Sequence, residues 1–313
     1  MFPSFMYNNV ENGIMIITKE RDNIVLIWHQ TGRMTLMKEG RKMNYVKFDL
    51  HCHTKEGSTD AKQSIFDHVA ELKKLGYGGL LVTDHDSYKG YEEYKKQHAE
   101  DDFIVLRGIE YDTCDYGHFI VVVPNHVPKA LYELLSQRGM RLKHLVEYVH
   151  GFNGILGPAH PYGELFMSFG NTQPWNYFEK HQLLKQFDFL EGYNACESDE
   201  KNRNARRLAQ NFELPLTAGT DAHSGEYLGK ACTYLPDTIK TEENFIDFYK
   251  SGQYPKVWGE RYGHTTKDRI GRFNLYLAVS FYIYNKVGAL LHLPKRMRLF
   301  HMLQKYFIKE NRR

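Results

Sequence analysis

From residue 46 onward the chain alternates two patterns: short unbroken apolar runs, and longer stretches whose apolar residues recur every three or four positions. VKFDLH (46–51), GLLVTDH (79–85), FIVLRGIE (103–110), HFIVVVP (118–124), GILGPAH (154–160), FDFLEGYN (187–194) and LPLTAGTD (214–221) are rich in β-branched residues and predict buried strands. Between them, Ile65, Val69, Leu72 and Leu75 form one helical stripe within Ser64–Leu75. Leu142, Leu145, Val146 and Val149 do the same within Arg141–Phe152, and Asp199–Phe212 predicts a third amphipathic helix. Strand–helix alternation of this kind predicts an α/β fold with a parallel sheet covered by helices.

The polar residues sharpen that expectation. His51, His85, Glu110, His160 and Asp221 each close a different predicted strand. An open sheet gathers ligands at one switch point, whereas a barrel gathers every strand end into a ring. The expected architecture is therefore a distorted (β/α)7 TIM-like barrel, followed by a C-terminal helical extension. Residues 1–42 stand outside the alternation, with one strand-like run at 23–29 and a charged stretch at Lys38–Lys42. Two readings of them stay open: an extension that is not native, with the protein starting at Met43, or an N-terminal hairpin packed on the body. The chain divides into 1–42, a hydrolase domain over 43–255, and an extension over 256–313.

The bulk properties change this picture little. The 313 residues, 42% apolar and 25% charged, suit one large domain with an extension or two modest ones. Cys52, Cys114, Cys196 and Cys232 are far apart, and Cys52 lies between two histidines, so a reducing cytoplasm is the expected compartment. The first residues have neither a basic start nor a long apolar run, so no secretory signal is expected. Charge is uneven: residues 267–313 carry 11 Lys/Arg against 2 Asp/Glu, and the remainder 30 against 36. Within that basic tail lies an apolar helix candidate ending before Pro294, then a basic amphipathic stretch. Helices packed on the body or on a dimer partner, a peripheral membrane-surface anchor, and a nucleic-acid-binding tail, the least favoured, all stay open. A transmembrane span is marginal at this length and polarity.

The chemistry is concentrated in five motifs. In Asp49-Leu50-His51-Cys52-His53-Thr54 the two histidines are two residues apart on a strand, so they share a face and can bind one ion. Thr83-Asp84-His85-Asp86, Gly108-Ile109-Glu110 with Gly117-His118, Gly157-Pro158-Ala159-His160, and Gly219-Thr220-Asp221-Ala222-His223 follow in order. Any one of them has a plain alternative: a histidine satisfied by a backbone carbonyl, or a carboxylate in an ion pair. Their number in matching positions is hard to satisfy by hydrogen bonds alone, and a mixed imidazole and carboxylate set suits zinc, manganese or iron rather than calcium.

DLHCHT, VTDHD, GIE, GHF, AHP and AGTDAH, in this order over about residues 46–255, resemble the successive motifs of the PHP (polymerase and histidinol phosphatase) family of metal-dependent phosphoesterases. The resemblance implies a barrel related to the (β/α)8 type and usually a cluster of about three metal ions; for this chain roughly two to three divalent ions, of zinc, manganese or iron by the donor chemistry, are expected. It implies that His51, His53, Glu110 and Asp221 hold one ion. Glu110 then bridges to a second held by His118 and His160, and His85 and His223 hold a third. One position departs from the family: Ser58 stands where many members have Asp or His. Asp60 is expected to complete the third site instead; the plain alternative is that it caps the helix beginning near Ser64. Asp49, Asp84, Glu191 and Asn194 are expected to orient ligand histidines through their free ring nitrogens.

The implied reaction is hydrolysis of a small phosphate ester, with a nucleotide among the candidates, by a hydroxide bridging the ions at Glu110, with Glu110, His85 and Asp221 as catalytic residues. Arg203, Arg206, Arg207, Lys89 and Tyr162 are candidates for phosphate contacts, though each is more simply a solvated surface residue. Two rivals stay open. An amidohydrolase-type C–N hydrolase uses similar ligands but often a bridging lysine, and no lysine ends a predicted strand here. A degenerate scaffold module would have lost ligands, whereas this chain keeps nearly all of them.

Overall fold

The computed structural model describes residues 6–10, 14–19, 24–28, 34–38, 41–97, 102–163, 167–172, 176–262 and 273–310. It is an α/β protein whose described strands form three sheets. The largest is organised by β5 (Arg41–Cys52), which has the three neighbours its bends allow. Its first half closes an antiparallel ladder of β1 (Met6–Val10), β2 (Ile14–Lys19), β3 (Ile24–Trp28) and β4 (Met34–Lys38). Its second half pairs in parallel with β6 (Tyr77–Val82), itself parallel to β7 (Ile104–Arg107). On its other edge lies β13 (Ala231–Pro236), antiparallel, followed by β14 (Lys256–Gly259). β8 (Ile109–Thr113), β9 (Gly117–Val122) and β10 (Ile155–Pro158) make an antiparallel sheet, and β11 (Leu190–Asn194) with β12 (Leu216–Gly219) a parallel pair.

Helices α1 (Ile65–Lys74), α2 (Lys89–Gln97), α3 (Lys129–Leu135), α4 (Leu142–Gly151), α5 (Tyr177–Leu184), α6 (Asp199–Phe212) and α7 (Glu242–Lys250) fill the connections. Three coincide with the stripes read from the sequence, and side-chain caps explain the starts of two of them, α1 and α6. Ser64 accepts from the Asp67 amide at 3.1 Å, and Ser198 accepts from the Lys201 amide at 3.3 Å. A final helix, α8 (Phe273–Glu310), continues through Pro294, where the sequence pattern predicts a stop. Pro294 lies on the exposed side, so the helical bond it removes leaves the Leu290 carbonyl facing water, which lowers the penalty.

Three features differ from the sequence expectation. The predicted strand at 103–110 is two strands, divided at Gly108, and β8 leaves the first sheet to pair with β9. The expected all-parallel arrangement is broken at β8–β9–β10 and at β13, and hydrogen bonding among the described strands does not run on into one closed sheet. β14 pairs with β13, so the body runs past residue 255, where the sequence suggested a boundary. Even so, Phe48, Leu81, Leu106, Ile120, Ile155 and Leu235, drawn from six strands, share one buried cluster. Two isolated parallel bridges, Cys52 with Ala222 and His85 with Glu110, tie neighbouring sheets together just above it.

Candidate metal centre

The site begins with an irregularity in β5. Phe48 and Leu50 point into the shared core, so strict alternation would send His51 and His53 to the opposite face. The pairing with β6 shifts between Asp49 and Cys52. Beyond the shift Cys52 packs outward with Ile65, Val69 and Leu72 of α1, and both histidines turn inward. A bulge that re-aims side chains at the end of a strand is a recurrent device beside functional sites. Asp49 stabilises this bend by accepting from the amides of His51 (3.2 Å) and Thr220 (2.9 Å) and from the Thr220 hydroxyl (2.5 Å).

The β8–β9 hairpin supplies the opposite wall. Its turn requires Gly117, at φ +82°, where a Cβ would lie 2.4 Å from the Met167 carbonyl carbon. Asp112 pairs with His118 across this hairpin, so Glu110, Asp112 and His118 share a face. Three of the five non-glycine residues with left-handed backbone among the described residues, Asp86, His160 and Asp221, lie at this end of the molecule. Strain of this kind is tolerated where the surroundings hold it, and it concentrates at functional sites.

Glu110 is the centre of the arrangement. It is fully buried, and its Oε1 lies 3.0 Å from His118 Nδ1 and 2.9 Å from His160 Nε2. Its Oε2 lies 3.2 Å from His53 Nε2, 3.4 Å from His51 Nε2 and 3.1 Å from His85 Nδ1. Asp221 Oδ1 is 3.2 Å from His53 Nε2 and 3.6 Å from His51 Nε2. His223 stacks on His53 with ring centroids 4.2 Å apart, and its Nε2 is 3.2 Å from Asp60 Oδ2. The nine residues expected as ligands are thus brought to one place, including Asp60, whose other neighbour is His85 at 3.8 Å. Capping of α1 falls to Ser64, not to Asp60.

This donor set fits divalent ions. His51–His53–Glu110, His85–Glu110–His118 and His53–His85–His223 each bring three ligand atoms within 4.8 Å of one another. His51 Nδ1 is engaged by Glu191 Oε1 at 2.9 Å, which turns its Nε2 toward His53 Nε2, only 3.2 Å away. Two imidazole lone pairs so close to carboxylates call for a cation between them. Glu110 Oε2 and His118 Nε2 are buried without a hydrogen-bond partner, as atoms reserved for an ion would be. Protons compete for the same positions. Burial opposes charge on His53, but Asp221 and Glu110 outweigh it and raise the imidazole to about 10. Burial likewise opposes ionisation of Glu110, yet His85, His118 and His51 hold its carboxyl well below the usual range.

The supporting residues differ from expectation in detail. Glu191 does grip a ring nitrogen, and Asn194 supports it by donating to Glu191 (3.1 Å) and Asp221 (3.1 Å). Asp49 and Asp84 act instead on the backbone and on hydroxyls: Asp84 accepts from the Thr54 amide (2.6 Å), the Ser58 hydroxyl (3.1 Å) and the Gly90 amide (3.2 Å). Ser58 replaces a ligand with a brace, its hydroxyl 3.2 Å from His53 Nδ1. The suggested phosphate contacts lie elsewhere. Arg203, Arg207 and Lys89 are exposed on α6 and α2, and Arg206 covers Tyr193. Tyr162, two residues past His160, packs against the core. Sequence reasoning missed the cation that does approach. Arg138 is 3.1 Å from Asp86 and 4.0 Å from Asp112, next to His85 and His118. Asp112 carried a signal in its two-residue spacing from Glu110; Arg138 carried none.

Residues 49–188 match the PHP domain, and residues 199–254 match the PHP-associated segment. The chain belongs to the PHP family. Membership brings metal-dependent hydrolase chemistry with it. Comparison with curated proteins returned no match. Among solved structures, PsfC from Pseudomonas syringae PB-5123 superimposes on this PHP protein with a TM-score of 0.50 at 19% identity, covering 78% of this chain and 99% of that one. The lesion-specific endonuclease PfuEndoQ from Pyrococcus furiosus gives 0.47 at 19% identity, over 68% and 57%. An amidohydrolase from Chromobacterium violaceum with bound sulfate gives 0.49 at 14% identity, over 64% and 96%. The likeness to PsfC is one of fold, and the other two are looser.

Proposed function

We propose that this PHP protein hydrolyses a small phosphate ester at a cluster of two to three divalent ions held by His51, His53, Asp60, His85, Glu110, His118, His160, Asp221 and His223. The observation that carries the reading is Glu110, one carboxylate shared among five imidazoles. Closely spaced ions, when bound, bring water deprotonation toward neutral pH and neutralise the oxygens of a phosphate. The protein's own part is positional. Glu110, His85 and Asp221 face the reacting group, Glu191 keeps the His51 lone pair turned inward, and Ser58 braces His53. The Phe281 ring, 6.2 Å from His85, narrows the approach on the α8 side and favours a small ester. In this reading the three sheets form a distorted barrel around the cluster of Phe48 and Leu81, with the ligands at its rim.

The test is phosphate release from a panel of phosphomonoesters and diesters. Protein stripped of metal would be reconstituted separately with zinc, manganese or iron. Release from at least one ester, abolished by chelation, is the expected result. Metal-loaded protein that cleaves amides but no phosphate ester would overturn the assignment in favour of C–N hydrolysis. Loaded protein inert toward both would favour a scaffold.

A further inference from the structure

The C-terminal helix α8 has two faces that follow the helical repeat, and the body occupies one of them. Asn285, Ala289, His292, Arg296, Leu299 and Leu303 recur at alternating spacings of four and three. Asn285 accepts from Arg138 at 2.9 Å, the His292 ring meets Gln137 Oε1 at 2.9 Å, and Arg296 donates to the Arg138 carbonyl. Leu299 and Leu303 are buried in the core. These contacts fix the helix's rotation about its own axis, so the opposite face cannot roll inward.

That outward face is apolar. Tyr276, Ile283, Val287, Leu290, Leu291 and Met297 lie along it and are between 49% and 74% exposed. A contiguous apolar stripe over several turns is more than the scattered exposure ordinary for a surface, and it marks a contact site. The charges beside it select the partner. Lys295, Arg298 and Lys305 are exposed, and the sequence of α8 holds no carboxylate before Glu310. The whole segment 267–313 has 11 Lys/Arg against 2 Asp/Glu. Two copies meeting through this face would bring like charges together, whereas an anionic lipid surface complements both the stripe and its basic flank. No helix among the described residues is long and apolar enough to cross a membrane, which leaves the helix lying in the interface plane.

We propose that α8 docks in the interface of an anionic lipid bilayer, its stripe in the acyl boundary and Lys295, Arg298 and Lys305 among the headgroup phosphates. The inner side of the same helix carries Phe281 against His85, so docking brings the metal centre to the lipid surface.

Flotation of the full-length protein with vesicles tests this, using mixed phosphatidylglycerol and phosphatidylcholine against phosphatidylcholine alone. Wild-type protein is expected to float with the anionic vesicles, weakly with the neutral ones, and less at half-molar salt as screening removes the attraction. Ile283→Glu with Leu290→Glu is expected to lower the bound fraction about tenfold, because two carboxylates then face the acyl boundary. Circular dichroism should show the double variant folded, since both positions are exposed. A double variant that floats like wild type, or a wild type that ignores anionic vesicles, overturns the proposal. So does a wild-type dimer that the substitutions dissociate while neither form binds lipid, which would make the stripe a self-association face. The measurement needs no substrate, so its failure is independent of the phosphoesterase reading.

Discussion

The metal centre and the outer face of α8 invert the usual partition of residues in opposite directions. At the centre, histidines and carboxylates are buried; on α8, leucines and isoleucine are turned to water. Either inversion is costly on its own, and each calls for something outside the chain: divalent ions at the centre and, in the docking proposed above, lipid at α8. The difference lies in how many residues must cooperate. The centre is a network in which Glu110 contacts five rings, so single changes propagate. The stripe is additive, and its members contribute area one at a time.

The sharpest way to break this comparison is at Glu110. Glu110→Gln keeps the shape and removes the charge shared by the cluster, so the protein should remain folded while phosphate release falls by roughly 10²-fold or more. Circular dichroism with single-turnover phosphate assays checks it, and a variant as active as wild type would end the bridging role.

Glu191 tests whether the supporting layer belongs to the network. It touches His51 Nδ1 at 2.9 Å and the His160 amide at 2.5 Å, so Glu191→Ala should release the ring and leave an orphaned amide. Metal affinity should fall by about 10–100-fold, read by competition with a chromogenic chelator. Unchanged affinity would mean that packing alone orients His51.

The smallest effect is expected at Asp60, the most exposed member. Burial acts to raise its carboxyl, but the hydrogen bond from His223 and the charges of His85 and His223 carry it below the ordinary range. Asp60→Ala should lower bound metal by about one ion per chain and leave the fold intact, by elemental analysis against protein concentration. Metal content equal to wild type would remove Asp60 from the site.

Much of the centre was legible because its ligands are polar residues closing apolar strands, a placement that burial penalises unless something binds them. His51, His85, Glu110, His160 and Asp221 could therefore be read one strand at a time. The α1 boundary was equally local, since the Ser64 cap acts within the first turn and the stripe from Ile65 to Leu72 follows directly from it. Arg138 was not legible. It lies in the segment between α3 and α4, and its guanidinium is held between Asp86 and Asp112 on one side and Asn285 and Tyr284 of α8 on the other.

What the sequence by itself determined is the inventory: which groups are too polar to be buried without partners, and which periodicities make strands and helices. These follow from side-chain chemistry and local geometry, which need no knowledge of distant residues. Tertiary structure decided the directions. A shift in the β5–β6 register turns His51 and His53 inward, and an antiparallel hairpin replaces a predicted parallel strand so that Glu110 and His118 share a face. Docking of the inner side of α8 buries Leu299 and Leu303 and leaves Leu290 and Leu291 outside. A one-residue change of register reverses every side chain beyond it, and pairing partners far apart in sequence set that register.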